Sequence, residues 1–213
     1  MGLFVVLFGC GENTSTNRTT DSPTSGQISM AVDEGYKPVI EAQLDVFDSI
    51  YGQAKIDAKY VPENIAVKML LDDSLEVAIL SRRLNAEEEK YFQSKGFTPK
   101  WTKLAWDALA IIINPANRDS VLTVQQVADI LSGKTTKWAQ IDPKSGLGTI
   151  QVCFDNPNSG IVRYAKDSIL RGLPLAPQVF AVKNNPDVIK FVAENKGAIG
   201  IIGLNWISDT DDK

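Results

Sequence analysis

Apolar positions along this chain switch between two spacings, and the switches mark out its elements. Residues 28–32 are a short apolar run, read as a strand. Residues 33–38 are a turn that opens a helix, with Pro38 in the first turn, where its missing N–H costs nothing. Tyr36, Ile40, Leu44, Phe47 and Tyr51 then recur at helical spacing and form one stripe. Residues 55–61 alternate as a strand, 63–71 predict a second helix and 76–80 a third strand. Asn85, followed by three glutamates, has the N-cap and early acids that a helix start favours. Residues 103–114 are mostly apolar and predict one strand crossing from one sheet to another. Thr123 and Gln126 have capping-box spacing before a helix that ends at Gly133. Residues 150–154, 179–182 and 198–203 predict strands. Helices are expected from Gly160 to about Leu170 and from Asn185-Pro186 to Gly197. Strands alternating with helices imply parallel sheets covered by helices on both faces. In such sheets ligands sit beyond the carboxyl ends of strands, at helix N-termini.

The first residues do not belong to this pattern. A short apolar run ends in Leu7-Phe8-Gly9-Cys10, and a polar tract follows through Gly26. The run is too short to span a bilayer and reads as the end of a signal segment. A small residue before a cysteine resembles the bacterial lipobox, so Cys10 is the expected lipidation site and residues 1–26 a signal end and flexible tether. No Lys or Arg precedes the run.

Composition narrows the chemistry. The 213 residues are 44% hydrophobic and 23% charged, ordinary values for a globular protein. A net charge of -4 leaves no basic surplus for a nucleic-acid backbone. There is no histidine, which removes the commonest general base and metal ligand, so no Ser-His-Asp triad and no histidine-rich metal site is expected. Cys153 lies in a strand-like run and reads as a core thiol. The Gly133-Lys134-Thr135 segment is not a phosphate-binding P-loop, because Ala128 stands where the earlier glycine belongs and the segment closes a helix.

Three junctions carry candidate chemistry. Ser159 is a natural N-cap, and the N–H groups of Gly160 and Ile161 would point outward from the helix start, a geometry that binds anions. Ser81-Arg82 sits at a strand-to-helix turn, either as a solvated surface pair or as a guanidinium fork suited to a tetrahedral oxyanion. Asp33-Glu34 occupies the first such turn, either as helix-start charge or as acceptors for a protonated ligand.

The order of segments resembles the phosphate-binding, type II periplasmic binding proteins. The resemblance rests on Ser81-Arg-Arg-Leu84, on Asp107 to Asn117, on Leu122-Thr123 to Gly133-Lys134 followed by Trp138, on Asn158-Ser159-Gly160, and on Gly197 to Gly203. It covers about residues 28–207. It implies a two-lobed α/β fold with a ligand cleft between lobes: residues 27–106 plus 203–213 in the first lobe, 107–202 in the second. It implies a lipid-anchored receptor of the cell envelope that binds phosphate or a similar oxyanion and delivers it to the permease subunits of an ABC importer, with no cofactor, metal or catalysis. The implied contacts are Ser81, Arg82, Gly35 and Tyr36 from the first lobe and Ser159, Gly160 and Ile161 from the second, with Asp33 and Asp155 beside them.

Four positions depart from the family pattern. The first ligand loop is Asp33-Glu-Gly-Tyr-Lys37 instead of a Gly/Ser/Thr-rich segment, and Ile161 replaces a threonine. Arg82 stands where the family has an aspartate, and Asp155 where it has an arginine. That exchange predicts that Arg82 and Asp155 face each other or one ligand across the cleft. Residues 207–213 also stand where the family has further helices, which implies a fragment or a compact branch. Two other classes remain open: an enzyme acting on a phosphorylated or carboxylated small molecule, and a sensor or adhesion protein that kept the clamp.

Overall fold

The computed structural model describes residues 22–118 and 121–207. Cys10 and residues 208–213 lie outside them. Two sheets organise the chain. The first has β1 (Ser25–Asp33) between β2 (Gln53–Val61) and β3 (Val77–Ile79), all parallel. The second runs in the order β4 (Leu109–Ile113), β7 (Ala198–Gly203), β5 (Gln151–Phe154), β6 (Val179–Ala181). In it β5 is parallel to both β6 and β7, while β4 is antiparallel to β7, so the sheets are parallel-rich, as expected, with one antiparallel edge strand.

Helices α1 (Lys37–Ile50), α2 (Glu63–Leu71) and α3 (Ala86–Ser94) follow the strands of the first sheet. Helices α4 (Val124–Leu131), α5 (Gly160–Tyr164) and α6 (Asn185–Glu194) accompany the second. The start signals act as read. Asn85 with Glu88, and Thr123 with Gln126, form complete capping boxes. Ser159 caps α5, which continues through a wider turn over Ala165–Ile169. The cap of α6 is Asn184, one residue before the expected start.

The long crossing strand does not form. Only Leu109–Ile113 pairs, because its partner β7 ends at Gly203 opposite Leu109 and then turns. Leu204 N–H to Ala108 O, at 2.9 Å, is the last backbone bond on that side. Beyond it residues 101–108 have no ladder, and Trp101, Leu104 and Trp106 are exposed.

The two units have unequal cores. The second buries Trp138, Phe154, Leu131, Ile150, Ile199 and Ile201 in one cluster, and the Trp138 indole donates to Gly197 O at 3.0 Å. Cys153 is a free, fully buried thiol on the opposite face of the sheet, its pKa pushed up to about 11, first by burial. Among the described residues of the first unit the buried cluster is Ala31, Ala66 and Leu75, with Met30, Val32 and Val67 buried beside it, and α1 has no fully buried residue along its stripe.

Candidate functional site

The carboxyl ends of four strands deliver the polar residues to one place between the sheets. β1 ends in Asp33, β2 leads through Pro62 into Glu63, β3 leads into Ser81-Arg82, and β5 leads into Asp155. From the second unit, α5 brings Gly160 against the first. A Cβ on Gly160 would press on Ser81 Oγ and come within 2.7 Å of Asp33 Oδ2 and 3.2 Å of Glu63 Oε2. Only glycine permits this approach of the two units.

Glu63 is the centre of the cluster. Its carboxylate, almost fully buried, accepts from Arg163 Nε at 2.7 Å and from the Ser81 N–H at 3.2 Å. The Ser81 hydroxyl donates to it as well, and Arg82 Nε lies 3.5 Å away. Arg163 Nη2 also donates to Ser81 Oγ at 2.8 Å, so one second-unit guanidinium holds two first-unit groups. Arg82 is committed mainly to Glu88, in a bidentate pair at 2.7 and 2.8 Å. That pair raises the Arg82 pKa and lowers that of Glu88.

The acids beyond Glu63 are differently placed. Asp33 is buried, and among the described residues its one hydrogen-bond donor is the Gly35 N–H, at 3.1 Å. Burial pushes its pKa up to about 7, with Glu63, Asp155 and Glu34 adding to the rise and the Gly35 bond opposing it. Asp155 is fully buried and accepts from Ser159 Oγ at 2.7 Å and Asn185 Nδ2 at 3.3 Å. Its pKa is raised by burial despite those bonds. Glu34 is also raised, first by burial and then by Asp155. Burial raises Tyr36 too, while Ser81 within its reach opposes the shift.

The expected contacts therefore divide. Ser81, Arg82, Asp33, Tyr36 and Gly160 do come together. The Gly35 N–H is not a free donor, because Asp33 holds it, and the Gly35 carbonyl accepts from Asn205 and Trp206. Ser159 spends its hydroxyl on Asp155 and on the Val162 N–H at 3.2 Å, as a plain cap does. The Ile161 side chain is buried in the second core. Arg82 and Asp155 do not pair, which corrects the expected bridge. Arg82 turns to Glu88 and Glu63, whereas Asp155 is satisfied by two neutral donors of its own unit.

Glu63 and Arg163 were not anticipated. Glu63 stands at a strand-to-helix junction like the residues that were. Arg163 is four positions beyond Ser159, one helical turn along α5. Both line a groove of about 240 Å³ with Arg82, Ser159 and Lys166.

Two α/β units whose strand ends converge on a polar groove define a clamp-type binding protein. The chain belongs to the family described as the PBP superfamily domain, which it matches over residues 17–213. It is 24% identical to the phosphate-binding protein PstS of Staphylococcus epidermidis, a match over the whole of this chain and 65% of that one. It is 27% identical to phosphate-binding protein PstS 2 of Streptococcus agalactiae over 55% of this chain and 38% of that one. The chain thus spans 38 to 65% of these curated relatives. Among solved structures, a putative phosphate ABC transporter substrate-binding protein from Clostridium perfringens, with bound phosphate, superposes with a TM-score of 0.75. That match has 23% identity and covers 86% of this chain and 73% of that one. An ABC-type phosphate transport receptor from Vibrio cholerae superposes with a TM-score of 0.61 at 22% identity, covering 84% and 72%.

Proposed function

We propose that this chain is the extracytoplasmic solute-binding component of an ABC importer and binds phosphate, or a closely related oxyanion, between its two units. The observation that carries this reading is the convergence of Ser81, Arg82 and Arg163 donors on one point at the strand ends. They are the donors a tetrahedral oxyanion needs, and they meet where two units can close over it. The phosphate-binding relatives support the choice of ligand. Asp33, which has no ion-pair partner among the described residues, supplies the acceptor for the hydroxyl of a protonated oxyanion. No turnover is part of this role. We take the two sheets as the two lobes, with the first lobe comprising residues 27–106 plus 203–213 and the second residues 107–202. Cys10 is proposed as the lipid anchor, and the permease subunits of an importer as the partner. No helix among the described residues is long and apolar enough to cross a membrane.

Bound ligand stabilises the folded state by mass action, so thermal unfolding tests this directly. Millimolar phosphate is expected to raise the Tm, and sulfate, which offers no hydroxyl to Asp33, to raise it less. A flat response to phosphate, sulfate and molybdate alike overturns the oxyanion reading. Measurable hydrolysis of a phosphoester by the same preparation would favour the enzymatic alternative.

A further inference from the structure

The donors assigned to the oxyanion are already occupied by a side chain of the protein itself. Glu63 is a carboxylate, an oxyanion in its own right, and it takes hydrogen bonds from Ser81 N–H, Ser81 Oγ and Arg163 Nε, with Arg82 Nε at 3.5 Å. Three of those groups come from the first unit and one from the second. The contact therefore spans the groove that a ligand would enter.

We propose that Glu63 is a tethered competitor of the ligand. It fills the oxyanion seat and latches the two units through Arg163 when no ligand is bound, and it leaves when an oxyanion enters. This rests on the proposed oxyanion-binding role of the same groove. The arrangement allows the exchange in three respects. Arg82 keeps its bidentate partner Glu88 after Glu63 departs. Arg163 keeps Asp167, 3.7 Å from its Nη1. Glu63 is the first residue of α2 and lines the groove, so rotation of its side chain toward the opening re-exposes the carboxylate to water. Neither arginine is stranded as a buried unpaired charge, which is the usual obstacle to breaking such a pair.

The proposal gives Glu63 a sign opposite to that of a positioning residue. A group that holds Arg163 in place for the ligand strengthens binding. A group that occupies the seat weakens it, because the competent fraction of the protein is reduced.

The test uses the whole chain and its Glu63→Gln variant, with phosphate titrated by calorimetry and the ligand-free radius of gyration measured by small-angle X-ray scattering. Glu63→Gln is expected to bind phosphate about tenfold tighter and to be more open without ligand. Weaker phosphate binding by Glu63→Gln, or unchanged binding with an unchanged radius, overturns the proposal. If neither protein binds phosphate or sulfate but the ligand-free variant opens, the latch stands and the oxyanion reading falls. Should Glu63→Gln fail to fold by circular dichroism, Arg163→Gln reads the same latch from the other unit. That variant is expected to open without ligand, and a radius equal to that of the parent protein overturns the latch.

Discussion

Asp33 shows how burial sets the behaviour of a single residue. Its carboxyl is enclosed between the units with Gly35 as donor and no ion-pair partner among the described residues, and its pKa rises from 3.8 to about 7. Between those two values the folded protein holds a proton that the unfolded chain has released. Stability from this group is therefore lost as pH rises through that window. The rises at Asp155 and Glu34 act in the same direction. Denaturant unfolding of the parent protein should accordingly show higher stability at pH 5 than at pH 8. Asp33→Asn keeps an acceptor for Gly35 and removes the charge. It should gain about 2–4 kcal/mol at pH 8 and roughly a third of that at pH 5, from the cost of about 1.4 kcal/mol per pKa unit. Equal effects at both pH values would show that Asp33 is better solvated than its position implies. Asp33 was legible as a candidate from its place at a strand end, but its having no ion-pair partner among the described residues was not. That depended on Arg82 choosing Glu88, a partner six residues away in its own unit.

At the scale of elements, caps and periods were readable because they act over a few residues. The capping boxes of α3 and α4, the alternation in β2 and the run of β7 all lie where local rules put them. The expected crossing strand over 103–114 failed for the complementary reason. An apolar run becomes a strand only where a neighbour offers ladder hydrogen bonds, and β7 stops at Gly203. The antiparallel direction of β4 is likewise set by pairing and not by its own sequence. The α6–β7 contact gives a measurable case. A Cβ on Gly200 would come within 2.6 Å of Val188, 2.8 Å of Ile112 and 2.9 Å of Val192. These atoms belong to α6 and β4, and all are packed. Gly200→Ala should cost about 1–3 kcal/mol, the range for overpacking a core. A change within about 0.5 kcal/mol in urea unfolding would mean that α6 slides freely on the sheet.

Across the whole molecule the two units are unequally built. The second encloses a large cluster around Trp138, Phe154 and Leu131, whereas the first has a small cluster of Ala31, Ala66 and Leu75 under α2, and its α1 has no fully buried residue. Native-state hydrogen exchange should show the slowest amides in β5 and β7, with β2 and β3 exchanging through a lower-energy opening. Uniform protection of both sheets would contradict this. Among the described residues the hydrogen bonds between the two lobes are few and polar, running from Arg163 to Glu63 and Ser81. Such an interface suits units that move relative to one another. The sequence alone determined the α/β class, the succession of elements and the location of the chemistry at strand-to-helix junctions. Hydrophobic period, caps and turn residues are local properties and need no tertiary contact to act. Which charges meet was decided only by the packing of one unit on the other. Arg163 reaches Glu63, 100 positions away in the chain, and Asp155 is closed off by its own cap, because side-chain partners are set by distance in space.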